Sequence, residues 1–337
     1  MTKDKLGSGA FTGDANGGNP YSGDRGKGID YDTYESESTV IEQEGNFPNI
    51  LTPYRAGARK LVQYVSASRG ETVMDLGSGT GILTLELLVK NPEISVLGLE
   101  ISEGMMEVAE YKFHQIDGTE LRDNVSNDSL LKYWEGFRRE SDPHKNRVNF
   151  VLGDIQTTED IIPESINRAV ANQVFHWTDL PTTFKQMKRF LKKGGEVIWN
   201  TASHFYDDER FPAKKYAFRY NDFLRSVMDE VSSRVKVSDY REMANPKQNI
   251  NSIQEVSSSQ GLITEQVGTF LLPVDFQNFI RYHVPVFVRT LITSEMGNDE
   301  KDQIAKEAIE RTINRTEALG DIVHKYDIVP ILKSVKI

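Results

Sequence analysis

The stretch Asp75-Leu76-Gly77-Ser78-Gly79-Thr80-Gly81 follows the apolar run Thr72-Val73-Met74 and precedes Ile82-Leu83-Thr84-Leu85-Glu86-Leu87-Leu88. A strand that ends in a glycine-rich turn and feeds a helix brings backbone amides close to a ligand, because glycine has no Cβ to stand in the way. The spacing narrows the ligand class. A dinucleotide fingerprint GxGxxG needs its third glycine at position 82, which is Ile82, and no Gly-Lys-Ser/Thr follows to make a Walker-type phosphate loop. The glycines instead fall at 77, 79 and 81, with an acid two residues before the first.

Outward from this turn, short apolar runs alternate with helical spacing. Ala58, Leu61, Val62 and Val65 share one face of a helix predicted over 56–66, and the helix after the glycines should end near Asn91-Pro92. Ile94 to Glu100 reads as a buried second strand finishing on an acid. Met105 to Gln115 reads as a helix, and Val148 to Val151 as a third strand ending at Gly153-Asp154. Arg168 to Asn172 is the fourth strand and runs into Gln173-Val174-Phe175-His176-Trp177. Phe184 to Leu191 should be helical, stopping at Lys192-Lys193-Gly194-Gly195, before a fifth strand over Glu196 to Asn200. This alternation implies a parallel sheet with right-handed crossovers.

The flanking regions differ in character. Residues 1–30 are rich in Gly, Ser, Asp and Asn and bury too little apolar surface to offset ordering entropy, so a flexible tail is expected there. The aromatic and Pro-containing stretch from Tyr31 to Arg55 reads as a lid segment or as packing for an N-terminal helix. Asp117 to Asn146 is long for a connection and suggests an inserted charged helix around Leu130 to Trp134. The expected domains are the tail at 1–30, a core with its lid segment at 31–203, a helical insertion at 204–260, and strands and helices at 261–337 that complete the sheet and cover. Within these, helices are predicted over 213–235, 253–260 and 299–319, a strand over 262–274, and an edge strand over 322–332.

Composition bounds the class. The 337 residues are 38% apolar with a formal charge of -10, which disfavours the basic face that nucleic-acid binding normally needs. There are no cysteines, so there is no disulfide framework, thiolate metal site or cysteine nucleophile. No 18-residue apolar run occurs, and the first residues lack a signal-peptide segment, so a cytoplasmic protein without a membrane span is the expectation. Oligomeric state is open.

Four features coincide in order: the acid-headed GxGxG turn, Glu100 ending the second strand, Gly153-Asp154 ending the third, and the Lys-Lys-Gly-Gly turn before the fifth. Over residues 54–203 this resembles the class I S-adenosylmethionine-dependent methyltransferases, specifically their small-molecule branch. The resemblance implies an α/β, Rossmann-like, seven-stranded and mostly parallel sheet with helices on both faces, with helical insertions forming a cover over the acceptor site. It implies S-adenosyl-L-methionine as cofactor. Asp75, Gly77, Ser78, Gly79 and Gly81 would then line its amino-acid portion and ribose, and Glu100 would accept from both ribose hydroxyls. Asp154 would accept from the adenine amino group, Ile101 and Ile155 would pack the ring, and Asn172 would sit at the pocket mouth beside Gln173. No metal site is implied. Ser78 stands where Cys or Ala is common, and Lys193 replaces the usual Pro.

The implied reaction is in-line displacement at the sulfonium methyl, in which the protein chiefly aligns the reactants and excludes water. A base is needed only if the nucleophile carries a proton. His176 is the candidate catalytic residue because imidazole titrates near neutrality; the alternative is a structural corner with Trp177. His204 is the second candidate, and Tyr206 and His283 are candidate pocket residues. No Asp/Asn-Pro-Pro-Tyr tetrapeptide follows the fourth strand, where Asn172-Gln173-Val174-Phe175 stands instead, so the signature of amino-methylating DNA enzymes is missing. The expected acceptor is a small, partly apolar metabolite methylated on O, N or C. The alternatives are a protein or peptide methyltransferase and a cofactor-binding, non-catalytic regulatory subunit.

Overall fold

The computed structural model describes residues 53–113, 141–159, 161–175, 178–201, 214–237, 250–273, 284–285, 288–289, 291–315 and 326–337. The expected tail, the lid segment ahead of Pro53 and the charged insertion around Leu130 lie outside these residues.

The described elements are α1 (Pro53–Leu61), β1 (Thr72–Leu76), α2 (Ile82–Lys90), β2 (Ser95–Glu100), α3 (Glu103–Lys112), β3 (Val148–Leu152), β4 (Ile166–Asn172), α4 (Leu180–Phe190), β5 (Leu191–Asn200), α5 (Lys214–Ser232), α6 (Ile250–Ser259), β6 (Leu262–Pro273), α7 (Asn298–Arg315) and β7 (Tyr326–Lys336). The strands form one seven-stranded sheet in the order β3-β2-β1-β4-β5-β7-β6. β1 to β5 pair in parallel, and β7 runs antiparallel between β5 and β6. This is the expected Rossmann-like sheet. One detail differs from the sequence reading, which put the last strand at an edge: β7 is interior, and β6 takes the edge.

Strand alternation divides the core into two layers. Val73, Val170, Ile198 and Ile331 point into one cluster with Leu61, Leu85 and Leu88, while their chain neighbours Met74, Ala169, Trp199 and Leu332 point into the other with Phe184 and Met187. Ile82 to Leu88 is buried throughout, which explains why α2 lacks a polar face. Trp199 is the largest side chain buried in the second layer, 4.8 Å from the Phe175 ring, and its indole N–H donates to Ser334 Oγ at 3.1 Å.

The helix before β5 ends at Phe190, without waiting for the glycines. Leu191 is already extended, and Gly194 (φ 73°) lies within β5, where pairing with β4 shifts register between Ile166 and Arg168. Two residues of sheet geometry thus replace the predicted glycine stop. At the same end of the sheet, Arg168 on β4 pairs with Glu71 and Glu196, and Lys333 on β7 reaches Glu196 at 2.7 Å.

A third cluster is built from two separate insertions. Phe223, Val227 and Val231 of α5 pack with Val284, Val288, Leu291 and with Ala305, Ala308 and Ile309 of α7. Arg289 is buried and pairs with Asp302 at 3.0 Å. The segments that make this cluster leave the sheet after β5 and between β6 and β7. Because Asn200 pairs with Ile331 while the β6–β7 ribbon continues to Pro273 and Tyr326, that ribbon extends past the end of β5 on the edge that carries the glycine turn.

Candidate active site

The site lies at the carboxyl edge of β3-β2-β1-β4, where the strand order reverses between β1 and β4 and an open α/β sheet binds its ligand. Register places Leu76 beside Leu99, Asp75 beside Val170 and Glu100 beside Leu152, so the turns after these strands line one crevice.

The turn after β1 has all three glycines in the left-handed region, at φ 64°, 54° and 81° for Gly77, Gly79 and Gly81. At Gly77 conformation and space agree. A Cβ there would stand 2.6 Å from Val174 Cγ2, so only glycine lets the segment after β4 cross the turn. The backbone N–H groups of Gly77 and Ser78 both donate to the Leu99 carbonyl, at 2.8 and 3.0 Å. This leaves Gly79, whose N–H donates to Glu100 Oε2 at 2.7 Å. Gly81 is the N-cap of α2 and offers no side-chain cap, so the first amides of that helix face the crevice.

Glu100 is 7% exposed, and its other oxygen accepts from the N–H groups of Ile101 and Ser102, both at 2.9 Å. Burial raises its pKa above the ordinary carboxylate range, against the lowering effect of the Ser102, Gly79 and Ile101 amides. Asp75 is fully buried, and Thr84 Oγ1 of α2 donates to its Oδ2 at 2.7 Å. Burial pushes the Asp75 carboxyl up to about 7; the Thr84 hydrogen bond opposes the rise, and the Glu100 charge adds to it. Asp75 Oδ1 and the buried Ser78 Oγ have no hydrogen-bond partner among the described residues. Natural proteins seldom bury polar atoms without partners; Ser78 Oγ lies beneath the turn beside Gly98, and Asp75 Oδ1 is the orphaned acceptor at the base of the site.

Asp154 follows β3 and is 8% exposed, with Oδ1 accepting from the Gln156 N–H at 2.8 Å. Gln156 in turn accepts from the Asp179 N–H at 2.8 Å, holding the 154–158 turn against the start of α4. Ile155 is buried at 6% and Ile101 is 36% exposed, so the two expected ring-packing residues differ in how far they are available. Asn172 ends β4, and its Oδ1 accepts from Asn200 Nδ2 at 2.9 Å.

The structure therefore brings Asp75, Gly77, Ser78, Gly79, Gly81, Glu100, Ile101, Asp154, Ile155 and Asn172 to one sheet edge. His176, Trp177, His204, Tyr206 and His283 lie outside the described residues. Thr84, Gln156 and Asn200 were missed by sequence reasoning. Thr84 carried a signal, since it falls in the first turn of the helix after the glycines; Asn200 carried none, because its role depends on the register of β5 with β4. Among the described residues no group of side chains suits a metal ion, and no helix is long and apolar enough to cross a membrane.

Comparison with known proteins agrees with this geometry. Residues 74–199 match the family described as methyltransferase domain. Over 155 residues the chain is 29% identical to a malonyl-[acyl-carrier protein] O-methyltransferase of Nitrosospira multiformis, covering 45% of this chain and 44% of that protein. Over 156 residues it is 31% identical to the protein of the same name from Halalkalibacterium halodurans, covering 44% and 47%. The match thus spans under half the length of either relative. A solved structure of phosphoethanolamine N-methyltransferase 2 from Haemonchus contortus superposes with TM-score 0.49 at 15% identity, covering 91% of this chain and 60% of that one. Strand order, the glycine turn and the family match meet in the same residues: over 74–199 the chain matches a methyltransferase domain.

Proposed function

We propose that the protein transfers a methyl group from S-adenosylmethionine to a small, partly apolar acceptor. The observation that carries this reading is the closure of the glycine turn on Glu100, a buried acid at the carboxyl edge of the sheet. When bound, the cofactor supplies a methyl group already activated by the positive charge of its sulfonium.

The residues fit that cofactor. The unpartnered Oδ1 of Asp75 suits a cationic donor group, and Glu100 Oε2, which accepts one backbone N–H where Oε1 accepts two, keeps a lone pair for a ligand hydroxyl. Asp154 and Ile155 form the adenine end, with Ile101 as the exposed wall on the other side. Asn172 and the segment after it border the place where acceptor and donor meet. His176 is the proposed base for an acceptor that carries a proton; a carboxylate acceptor would need none.

The acceptor end is proposed to come from the cluster of α5, Val284, Val288, Leu291 and α7, which the family match at 74–199 does not include. The relatives' names suggest a carboxylate acceptor, but the match spans less than half of this chain. A protein or peptide acceptor is the second reading, since the formal charge of -10 suits a basic peptide. Incubating the purified protein with methyl-labelled cofactor and a cell extract tests the proposal. Label in a small extractable molecule is expected, and label confined to protein would favour the second reading. His176→Ala is expected to keep cofactor affinity and lose turnover; full turnover would make this residue structural.

A further inference from the structure

At the tip of β5, Asn200 is completely buried and its carboxamide is used at both ends. Its Oδ1 accepts the backbone N–H of Gln173 at 2.8 Å, and its Nδ2 donates to Asn172 Oδ1 at 2.9 Å. The N–H can only donate, so these two bonds fix the orientation of the amide. Gln173 has φ 63°, and Glu164 is the other non-glycine residue in the left-handed region among the described residues. A side chain in that conformation is disfavoured and persists only when its surroundings hold it.

The bend has a consequence at the cofactor site. Reversing direction at Gln173 sets Val174 directly on Gly77, where a Cβ would meet two of its methyl carbons at 2.6 and 2.9 Å. The chain then continues to Phe175, buried 4.8 Å from the Trp199 ring, and on toward 176. Above the carboxamide pair lies α1. A Cβ on its Gly57 would stand 3.1 Å from Asn172 Oδ1 and 3.9 Å from Asn200 Nδ2, so the helix approaches the pair as closely as glycine allows. Asn200 therefore touches the end of β4, the strained residue after it and the approach of the N-terminal helix, while standing on a different strand from the glycine turn.

We infer that Asn200 is a positioning residue for the donor site. By clamping Gln173 in the left-handed conformation it seats Val174 on the glycine turn and Phe175 against Trp199. This rests on the proposed function for its ligand, but the clamp itself is a property of the chain.

The test is a double-mutant cycle read by calorimetric titration with S-adenosylhomocysteine. Asn200→Ala should weaken binding about tenfold, because the bound arrangement must then impose the strained bend unaided. In a Gln173→Gly background, where glycine takes positive φ freely, the same substitution should cost about twofold or less. An undiminished effect of Asn200→Ala in that background would show a general packing role and overturn the inference, as would unchanged affinity of the single variant. If Asn200→Ala does not fold, the cycle is run with Asn200→Leu, which keeps the side-chain volume and lacks the acceptor for the Gln173 N–H. Hydrogen exchange of the Gln173 amide gives a ligand-free readout: it should be protected in the native protein and exchange faster in the Asn200 variant. Failure of the native protein to bind S-adenosylhomocysteine would count against the proposed function, while the exchange measurement would still decide the clamp.

Discussion

Gly79 donates its backbone N–H to Glu100 Oε2 at 2.7 Å, which joins the left-handed turn after β1 to the acid that ends β2. The same carboxylate satisfies the Ile101 and Ser102 amides, so one buried side chain organises the backbone of two strand exits. Because the acid is already held, little ordering remains to be done when a ligand arrives, which favours affinity.

Removing that acid should therefore damage binding beyond the loss of one contact. Glu100→Ala leaves three backbone donors without this acceptor and removes the remaining acceptor capacity of Oε2 toward the ligand. Affinity for S-adenosylhomocysteine should fall about 100-fold, in line with charge-assisted hydrogen bonds to a buried site. Glu100→Gln keeps acceptor oxygen at one position and should fall less.

Glycine substitutions should separate conformational strain from steric conflict. Gly70 has φ 74° with open space around it, so Gly70→Ala should cost about 1 kcal/mol in urea unfolding. Gly77→Ala combines positive φ with a Cβ 2.6 Å from Val174 and should cost about 2–4 kcal/mol. Gly98 on β2 lies outside the left-handed region, but a Cβ there would meet Phe150 at 2.4 Å and Ser78 Oγ at 2.9 Å, so alanine would disturb the turn from beneath.

The buried carboxylates should give the ligand-free protein an unusual pH dependence. Asp75 is raised from 3.8 to about 7 and Glu100 is raised as well, so both favour the protonated folded form. Their contribution is complete below the unfolded carboxylate range and is lost as pH rises toward 7. Asp75→Asn keeps an acceptor for Thr84 and removes the charge, so it should gain stability over the native protein as pH rises from 5 to 8, by about 2–4 kcal/mol. The native protein should bind the cationic cofactor more tightly at pH 8 than at pH 6. Urea titrations and calorimetry across that range check both effects, and parallel pH curves for the two proteins would contradict them.

Glu86 should fasten the N-terminal helix to the glycine-turn helix. It accepts from Arg55 at 2.9 Å and Arg59 at 3.0 Å, and the Arg55 side chain is only 10% exposed. Glu86→Ala removes the buried carboxylate that both guanidiniums share, so it should destabilise by about 2 kcal/mol; Arg59→Ala, whose side chain is 46% exposed, should cost under about 1 kcal/mol. Denaturant unfolding of the two variants measures the contrast.

The strands and turns around the glycine motif were legible from sequence because local rules govern them. Spaced glycines demand positive φ, an apolar run ending on an acid marks a strand exit, and both features survive without knowledge of neighbours. The roles of Thr84, Gln156 and Asn200 were hidden, since each depends on a contact between elements that no local pattern encodes. The interior position of β7 was hidden for the same reason: an apolar terminal strand reads alike at an edge and between two neighbours. Leu191 shows tertiary pairing overriding a local stop signal, with β4 capturing the chain before the glycines. The cluster of α5 and α7 joins segments from two insertions, and helical spacing reveals that each has an apolar face without revealing which faces meet.

Calorimetric titration of the native protein and Glu100→Ala with S-adenosylhomocysteine tests the donor site most directly. One binding event per chain with micromolar affinity, weakened about 100-fold in the variant, is the expected result. No heat at millimolar ligand, or equal affinity in the two proteins, would contradict the assignment of this glycine turn and its acid as the cofactor site.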